Sequence, residues 1–352
     1  MSFTRFSQPG YVEQNIFHEQ TLSARAQTEP GRYLIEKRRI TPEAFNAIYK
    51  FCTMTQGNAL YSSLIVNIVF NAFLCYTAIM LNIITIHAIR KTSSLPNPLK
   101  TLLLSLAVSD LSVGLLCQPL YIGDLVMLLV PNTGNSVTFI GFFDIVSQLL
   151  SYASFFGVTA LTVDRFLAIH LHLRYQEIVT HKRVVAVVIF IWVFSAFLSF
   201  LMLSFYLGWL SVNWVTLLAV SAGIEVSCLI TSALLYCKIY LAVRHHANQI
   251  HALQVQQDAQ DNEMANASRL RKSAIGTFYV YLVFLACYLP ANCNNVAAII
   301  TGASTTVWVL SRYTLTLVFL NSSLNPLIYF WKMRHIQHTV LDILRKILPS
   351  HN

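Results

Sequence analysis

The sequence predicts an all-α membrane protein: a bundle of seven transmembrane helices followed by a short amphipathic eighth helix. Hydrophobic residues make up 55% of the 352-residue chain and charged residues only 11%, whereas ordinary globular domains are about 25% charged. The apolar residues form seven runs, and each run is long enough to cross a bilayer as a helix. This pattern favours one membrane bundle over two soluble domains.

The predicted spans, numbered one to seven along the chain, are separated by short polar stretches and turn residues. They cover about residues 62–89, 99–129, 138–169, 184–207, 214–243, 273–301 and 306–331. Residues 1–60 are polar, lack the apolar core of a signal peptide, and are predicted to form an extracellular N-terminal tail. Residues 61–331 form the bundle. Residues 332–352 hold a basic amphipathic segment, which is typical of a helix lying on the membrane surface, and a short cytosolic tail.

Lysine and arginine are unevenly distributed between the loops. The loops after spans one, three and five, and the segment after span seven, are basic, whereas the loops near 130–138, 208–213 and 302–306 contain neither residue. The positive-inside rule therefore places the basic loops in the cytosol and the N-terminus outside. The net charge of +9, with its basic residues clustered in these loops, indicates contact with a membrane surface rather than with nucleic acid. The seven cysteines show no metal-site spacing.

Several polar side chains fall inside the predicted spans, where they are costly unless they have partners. Asp110 lies in the middle of span two, and a lone carboxylate there needs a proton, a cation, or hydroxyl and amide groups. Oxygen ligands of this kind suit a hard cation such as Na⁺. The alternative is a structural hydrogen-bond cluster, and both interpretations stay open. The other members of this group are Asn82, Ser154, Asn321, Ser322 and Asn325.

Asp164-Arg165-Phe166 ends the apolar run of span three. A charge inside a span costs about 2.5–3.5 kcal/mol on translocon scales, so this pair is either a helix-end anchor or a conformational switch. Two prolines lie inside later spans, in Tyr288-Leu289-Pro290 and Asn325-Pro326. A proline removes a helical hydrogen bond and can act as a hinge. Kinked helices beside a charge pair at the end of a span favour the switch.

These motifs, in this order on seven spans, resemble class A (rhodopsin-like) G-protein-coupled receptors over about residues 60–345. The residues that carry the resemblance are Asn82, Leu106-Ala107-Val108-Ser109-Asp110, Asp164-Arg165-Phe166, Trp192, Tyr236, Phe284, Cys287-Tyr288-Leu289-Pro290 and Asn325-Pro326-Leu327-Ile328-Tyr329.

The resemblance implies that Asp164 holds Arg165 at rest and releases it to a heterotrimeric G protein, while Tyr236 and Tyr329 move towards that end. It implies an allosteric Na⁺ site and no other cofactor. It also implies an extracellular ligand, arrestin and the lipid bilayer as partners, and a place in the plasma membrane. The residues that match the family's sodium site are Asp110, Ser154, Asn321, Ser322 and Asn325.

Several positions depart from the family pattern. Phe166 replaces the usual tyrosine, Tyr288 the span-six tryptophan, and Cys228 the span-five proline. Ile140 stands where the family has a disulfide cysteine, and the loop at 208–213 has none.

The missing disulfide and a further departure at Leu270 each have an expected consequence. Cys52 and Cys293 could form a substitute outer disulfide or remain free thiols. Leu270 replaces an acid that could lock Arg165 to span six, so raised basal activity is expected.

The branch within the family is ambiguous. The stretch from Asp164 to Tyr175 is similar to that of adenosine receptors, whereas the missing disulfide and short outer loop are similar to melanocortin receptors. We expect a divergent member near the melanocortin, cannabinoid, lysophospholipid and adenosine receptors, with no ligand assigned.

Polar residues in the outer half of the bundle are candidate ligand contacts. Three acids against one arginine suggest a cationic ligand group or a divalent ion. The alternative for each residue is an interhelical hydrogen bond or an interface charge. The candidates are Asp124, Asp144, Gln148, Glu225, Asn292, Asn295 and Arg312.

Other functions are less well supported. A transporter or channel would show repeats or unwound glycine-rich helices, and neither is evident. An opsin needs a lysine in span seven, where Phe319 occupies the family position, and an aminergic receptor needs an acid where Ser147 stands. His-Glu-x-x-His and Gly-x-Ser-x-Gly motifs are absent, so an enzyme is not expected.

Overall fold

The predicted all-α bundle is confirmed. A computed structural model of the protein describes residues 57–93, 95–129, 137–171, 174–206, 214–253, 261–301, 305–332, 337 and 339–341. Within these ranges the regular structure is helical throughout. The helices of the seven spans run over Gly57–Lys91, Asn97–Leu129 (in three consecutive segments), Val137–Leu171, His181–Tyr206, Trp214–Leu253, Asp261–Thr301 and Thr305–Lys332, with a short helix Tyr175–Ile178 between spans three and four.

Six of the helices in the described ranges are long and apolar enough to cross a membrane by length and composition. The seventh, Thr305–Lys332, has 28 residues but carries threonine, serine and asparagine, which lower its hydropathy. Its polar side chains Asn321, Ser322, Ser323 and Asn325 are buried. Since these side chains point into the bundle, the helix can still present apolar residues to lipid.

Span three occupies the middle of the bundle. It contacts spans two, four, five and six, while span one packs against spans two and seven. Phe155, Leu161, Phe284 and Tyr329 belong to one buried cluster. Large apolar side chains such as Phe190 point outward, as expected for a protein whose solvent is lipid.

Span two contains a π-helical turn, Val113–Cys117, that was not predicted from the sequence. Pro119 explains it, because a proline has no N–H to donate to the carbonyl of a preceding turn. The Gln118 N–H bonds to the Val113 carbonyl instead. The Gly114 carbonyl accepts a hydrogen bond from the Cys75 thiol at 3.1 Å. A Cβ on Gly114 would lie 3.0 Å from Ile79 Cγ1, so spans one and two approach closely here.

Pro290 and Pro326 both lie inside helices, in spans six and seven, as predicted. The predicted N-terminal tail lies almost entirely outside the described residues, and so does most of the predicted eighth helix. The proposed Cys52–Cys293 pair stays a prediction, since Cys52 also lies outside them and Cys293 is an exposed residue of span six. We call the two ends of the bundle the Arg165 end and the Arg312 end.

Candidate functional site

Asp164 and Arg165 form a buried ion pair at the Arg165 end. Their side chains are 4% and 3% exposed. Arg165 Nε donates to Asp164 Oδ2 at 3.0 Å, and a guanidinium Nη pairs with the same oxygen. Separating two charges that are this deeply buried is costly unless each finds another partner.

Tyr175 completes the coordination of Asp164. Its hydroxyl donates to Asp164 Oδ1 at 2.6 Å, so both carboxylate oxygens accept hydrogen bonds. Burial and the adjacent Asp164 carboxylate raise the pKa of Tyr175 well above its usual value, which keeps the phenol protonated as a donor. Tyr175 had no predicted role, because a tyrosine eleven residues after an aspartate carries no contact signal.

Tyr236 and Tyr329 are both buried, at 5% and 1% exposure. Tyr236 lies beside Thr162 and Thr277. The Tyr329 hydroxyl has no hydrogen-bond partner within the part of the chain that the structure describes. A buried unpaired hydroxyl costs about 1–3 kcal/mol, so a rearrangement that pairs this group would be favoured.

A second contact connects spans six and seven near the same end. The Lys332 ammonium lies 4.1 Å from the ring centroid of Tyr279 and 3.6 Å from that of Trp331. These are cation–π distances. We call Lys332, Tyr279 and Trp331 the clasp; this contact was not predicted from the sequence. The side chain of Leu270, at the missing lock position, lies outside the described ones.

Three of the residues predicted to hold sodium, Asp110, Ser322 and Asn325, are in contact inside the bundle, whereas Asn321 is buried without a hydrogen bond to them. Asn325 Nδ2 donates to Asp110 Oδ2 at 2.8 Å, and Ser322 lies beside Asp110. Ser154 joins through Ser109, whose hydroxyl oxygen is 3.4 Å from its own. Ser109 is a member of the cluster that the prediction omitted.

The donor set of this cluster fits a hard monovalent cation. Asp110 is fully buried. Four of its buried polar atoms have no hydrogen-bond partner among the described residues: Asn321 Nδ2 and Oδ1, Asp110 Oδ1 and Asn325 Oδ1. One carboxylate with amide and hydroxyl oxygens suits sodium rather than a transition metal. Groups of three or more His, Cys, Asp or Glu that could hold a metal are absent from the described ranges.

A cavity of about 310 Å³ opens towards the Arg312 end. Spans two, three, five, six and seven contribute its walls. Asn292, a predicted ligand contact, does not line it. That side chain is 2% exposed, donates to the Tyr288 carbonyl at 3.2 Å, and lies beside Glu225. The six predicted contacts that do line the cavity are Asp124, Asp144, Gln148, Glu225, Asn295 and Arg312.

Asp124 and Arg312 form an ion pair between spans two and seven. The Tyr121 hydroxyl donates to the Arg312 carbonyl at 2.6 Å, and the guanidinium lies 4.9 Å from the Trp308 ring centroid. The interhelical hydrogen-bond alternative therefore describes this pair, although both residues also border the cavity.

Tyr288 connects the cavity to the core below it. It lines the cavity, and its ring centroid lies 4.3 Å from that of Phe284 and 4.6 Å from that of Phe155. These rings belong to spans three and six. A group that displaces Tyr288 would therefore disturb the packing between those two spans.

The motifs and their geometry point to one family. Residues 81–329 match the family model described as "7 transmembrane receptor (rhodopsin family)". The chain belongs to this family. The expected class A receptor is thus confirmed, and its membership favours a receptor over the transporter or channel alternative.

Named relatives are distant but cover most of the chain. It is 26% identical over 316 residues to the adenosine receptor A2b of Gallus gallus, spanning 80% of this chain and 88% of that receptor. It is 27% identical over 280 residues to the histamine H2 receptor of Cavia porcellus, with 75% and 74% covered. The adenosine receptor A3 of Canis lupus familiaris is 23% identical over 312 residues, with 82% and 94% covered. A divergent position near the adenosine receptors is therefore confirmed, and these relatives are receptors rather than enzymes.

Proposed function

We propose that this protein is a plasma-membrane receptor that binds an extracellular ligand and activates a heterotrimeric G protein. Its family supports the general function. The uneven distribution of Lys and Arg between the loops supports an orientation with the N-terminus and the Arg312 end outside and the Arg165 end in the cytosol. The cavity at the Arg312 end then faces the extracellular ligand.

The observation that carries this proposal is the buried Asp164–Arg165 pair with Tyr175. Because Asp164 accepts hydrogen bonds on both oxygens, it holds Arg165 inside the bundle in the resting state. In the active state Arg165 leaves Asp164 and contacts the G protein. Arrestin would bind at the same cytosolic end.

A series of neighbouring groups offers a route from cavity to switch. Tyr288 borders the cavity and packs on Phe284. Below it lies the Asp110–Asn325 hydrogen bond, and Tyr329 follows one turn after Asn325 on the same helix. Pairing of the Tyr329 hydroxyl in the active state would favour the rearrangement of spans five to seven. Pro290 and Pro326 provide the hinges.

The clasp restrains span six at the cytosolic end. Outward movement of span six would separate Tyr279 from Lys332, which costs about 0.5–1 kcal/mol at a partly exposed site. This restraint is weak compared with an ion-pair lock. Raised basal activity therefore remains our expectation.

Sodium would bind at Asp110, Ser154, Asn321, Ser322 and Asn325. The support is the buried, incompletely hydrogen-bonded oxygens of this cluster. A cation there would offset the buried Asp110 charge. Because the cluster joins spans two, three and seven, bound sodium would favour the packing in which these spans are close together.

The test measures recruitment of a panel of engineered Gα subunits to the receptor in cells. Energy transfer between the receptor and each subunit is the signal. Wild type should recruit at least one subunit without added ligand. Arg165→Ala should abolish recruitment while surface expression persists, and Arg174→Ala, an exposed arginine nearby, should not. Transport of a solute with no G-protein recruitment would instead support the transporter alternative.

A further inference from the structure

We infer that the cavity at the Arg312 end binds a small organic cation, such as an amine or a protonated heteroaromatic ring, whose charged group contacts Glu225. The inference deepens the proposed function and rests on it, since it names the ligand class of the same receptor cavity. The sequence alone left a cationic group and a divalent ion as alternatives. The geometry of the cavity separates them.

The charges around the cavity are unbalanced at Glu225. Among the described residues that line the cavity, Arg312 is the one Lys or Arg, and it is engaged by Asp124 in an ion pair. Glu225 is 6% exposed, and the residues beside it, Ser221 and Asn292, are neutral. A buried carboxylate is stabilised by an opposite charge, and a ligand cation would supply it.

Acceptor atoms extend the site beyond Glu225. Asn294 lines the cavity and is only 8% exposed. Its Oδ1, and Oε1 of the lining residue Gln148, have no hydrogen-bond partner among the residues described. Oxygen acceptors beside a carboxylate suit a ligand rich in N–H donors. They disfavour an anion.

A divalent metal ion fits these residues poorly. Calcium takes six to eight oxygen ligands and magnesium near-ideal octahedral geometry. The three acidic residues that line the cavity do not form a group of three or more metal-ligating side chains in the described part of the chain. Asp124 is moreover paired with Arg312. The carboxylates are therefore arranged for separate contacts and not for one shared ion.

Size and aromatic lining narrow the ligand class further. A volume of about 310 Å³ is at the lower end of ligand pockets, which span about 300–1,000 Å³, so the ligand is small. Tyr288 and Phe143 line the cavity, and aromatic rings attract cations; the Trp308 ring, which also lines it, already contacts Arg312. Glu225 and Tyr288 line the same cavity, so a cation held by Glu225 lies near the span-six hinge.

The test uses purified receptor and a defined probe set. The cationic probes are 2-phenylethylamine, tryptamine, imidazole-4-ethylamine, agmatine and choline; 2-phenylethanol and phenylacetate are the neutral and anionic isosteres. Binding is measured as a shift in the unfolding temperature, which needs no G protein. At least one cation should raise it, and neither isostere should. The inference is overturned if none of the cationic probes raises the unfolding temperature, or if an isostere raises it equally.

Variants assign the contact to Glu225. Glu225→Gln should weaken binding of the active cation by about 10- to 100-fold, as loss of a charge-assisted hydrogen bond predicts. Glu225→Asp keeps the charge and should retain measurable binding. Glu177→Gln, at an exposed acid outside the bundle, is the matched control. Unchanged affinity in folded Glu225→Gln overturns the inference. Failure of the receptor function itself would appear separately, as absence of Arg165-dependent G-protein recruitment.

Discussion

Removing one partner of the Asp124–Arg312 ion pair tests how spans two and seven are held together at the Arg312 end. Arg312→Gln deletes the guanidinium but leaves the helix backbone in place. The Arg312 carbonyl can still accept the hydrogen bond from Tyr121, now 2.6 Å long. The change therefore isolates the charge from the remaining contact between these spans.

The two single substitutions should differ in cost. The Asp124 side chain is 3% exposed, so Arg312→Gln leaves an uncompensated buried carboxylate and should cost about 3–5 kcal/mol. The Arg312 side chain is 12% exposed and lies over the Trp308 ring at 4.9 Å. Asp124→Asn should therefore cost less, because the guanidinium keeps the ring contact and borders the cavity. The double variant should resemble Asp124→Asn rather than the sum of both.

The assay is the unfolding temperature of purified receptor in detergent, measured at one fixed heating rate because irreversible unfolding depends on that rate. At about 2–4 °C per kcal/mol, Arg312→Gln should lower it by about 6 °C or more. The reasoning is refuted if the two single variants cost the same and the double variant costs their sum. That result would mean that the two charges do not interact.

Three further predictions concern the switch, the clasp and the sodium cluster. Tyr175→Phe removes a hydrogen-bond donor from Asp164. It should raise ligand-free G-protein recruitment by up to about tenfold, as the loss of a charged hydrogen bond implies. The control Tyr240→Phe, on the exposed face of span five, should have no effect. Lys332→Gln removes the cation–π contacts and should raise basal recruitment about two- to fivefold, whereas Lys332→Arg should not. Replacing KCl by NaCl at equal ionic strength should raise the unfolding temperature of wild type. The free energy of unfolding should rise by about 1.4 kcal/mol when sodium is at ten times its Kd. Asp110→Asn should abolish the difference between the two salts.

Each of these has a clear contrary result. Basal recruitment that is equal in Tyr175→Phe and wild type would show that Asp164 holds Arg165 without the phenol. Equal basal recruitment in both Lys332 variants would remove the clasp from the resting state. A sodium-induced shift that persists in Asp110→Asn would place the ion elsewhere.

The fold was predictable because its cause lies in composition and periodicity. Seven apolar runs require seven helices in lipid, since each backbone polar group must be paired within its own helix. The interruption of span two by a π turn was less accessible. Pro119 could have indicated it, but the compensating contact between Cys75 and Gly114 joins two different helices.

The sites were predicted only where their residues belong to a motif that can be seen in the sequence. Asp110 and Asn325 were grouped because their positions match a family motif, and the structure joins them by a hydrogen bond. Contacts between side chains that belong to no such motif gave no signal of this kind. The pairing of Asp124 with Arg312 and the clasp of Lys332 depend on helix rotation and packing, which a single sequence does not encode in a readable pattern.

The central claim is that Arg165 transmits the signal to a G protein. Its most direct test is ligand-free recruitment of engineered Gα subunits by wild type, Arg165→Ala and Arg174→Ala at matched surface expression. We predict recruitment by wild type and Arg174→Ala and none by Arg165→Ala. Full recruitment by Arg165→Ala would contradict the claim.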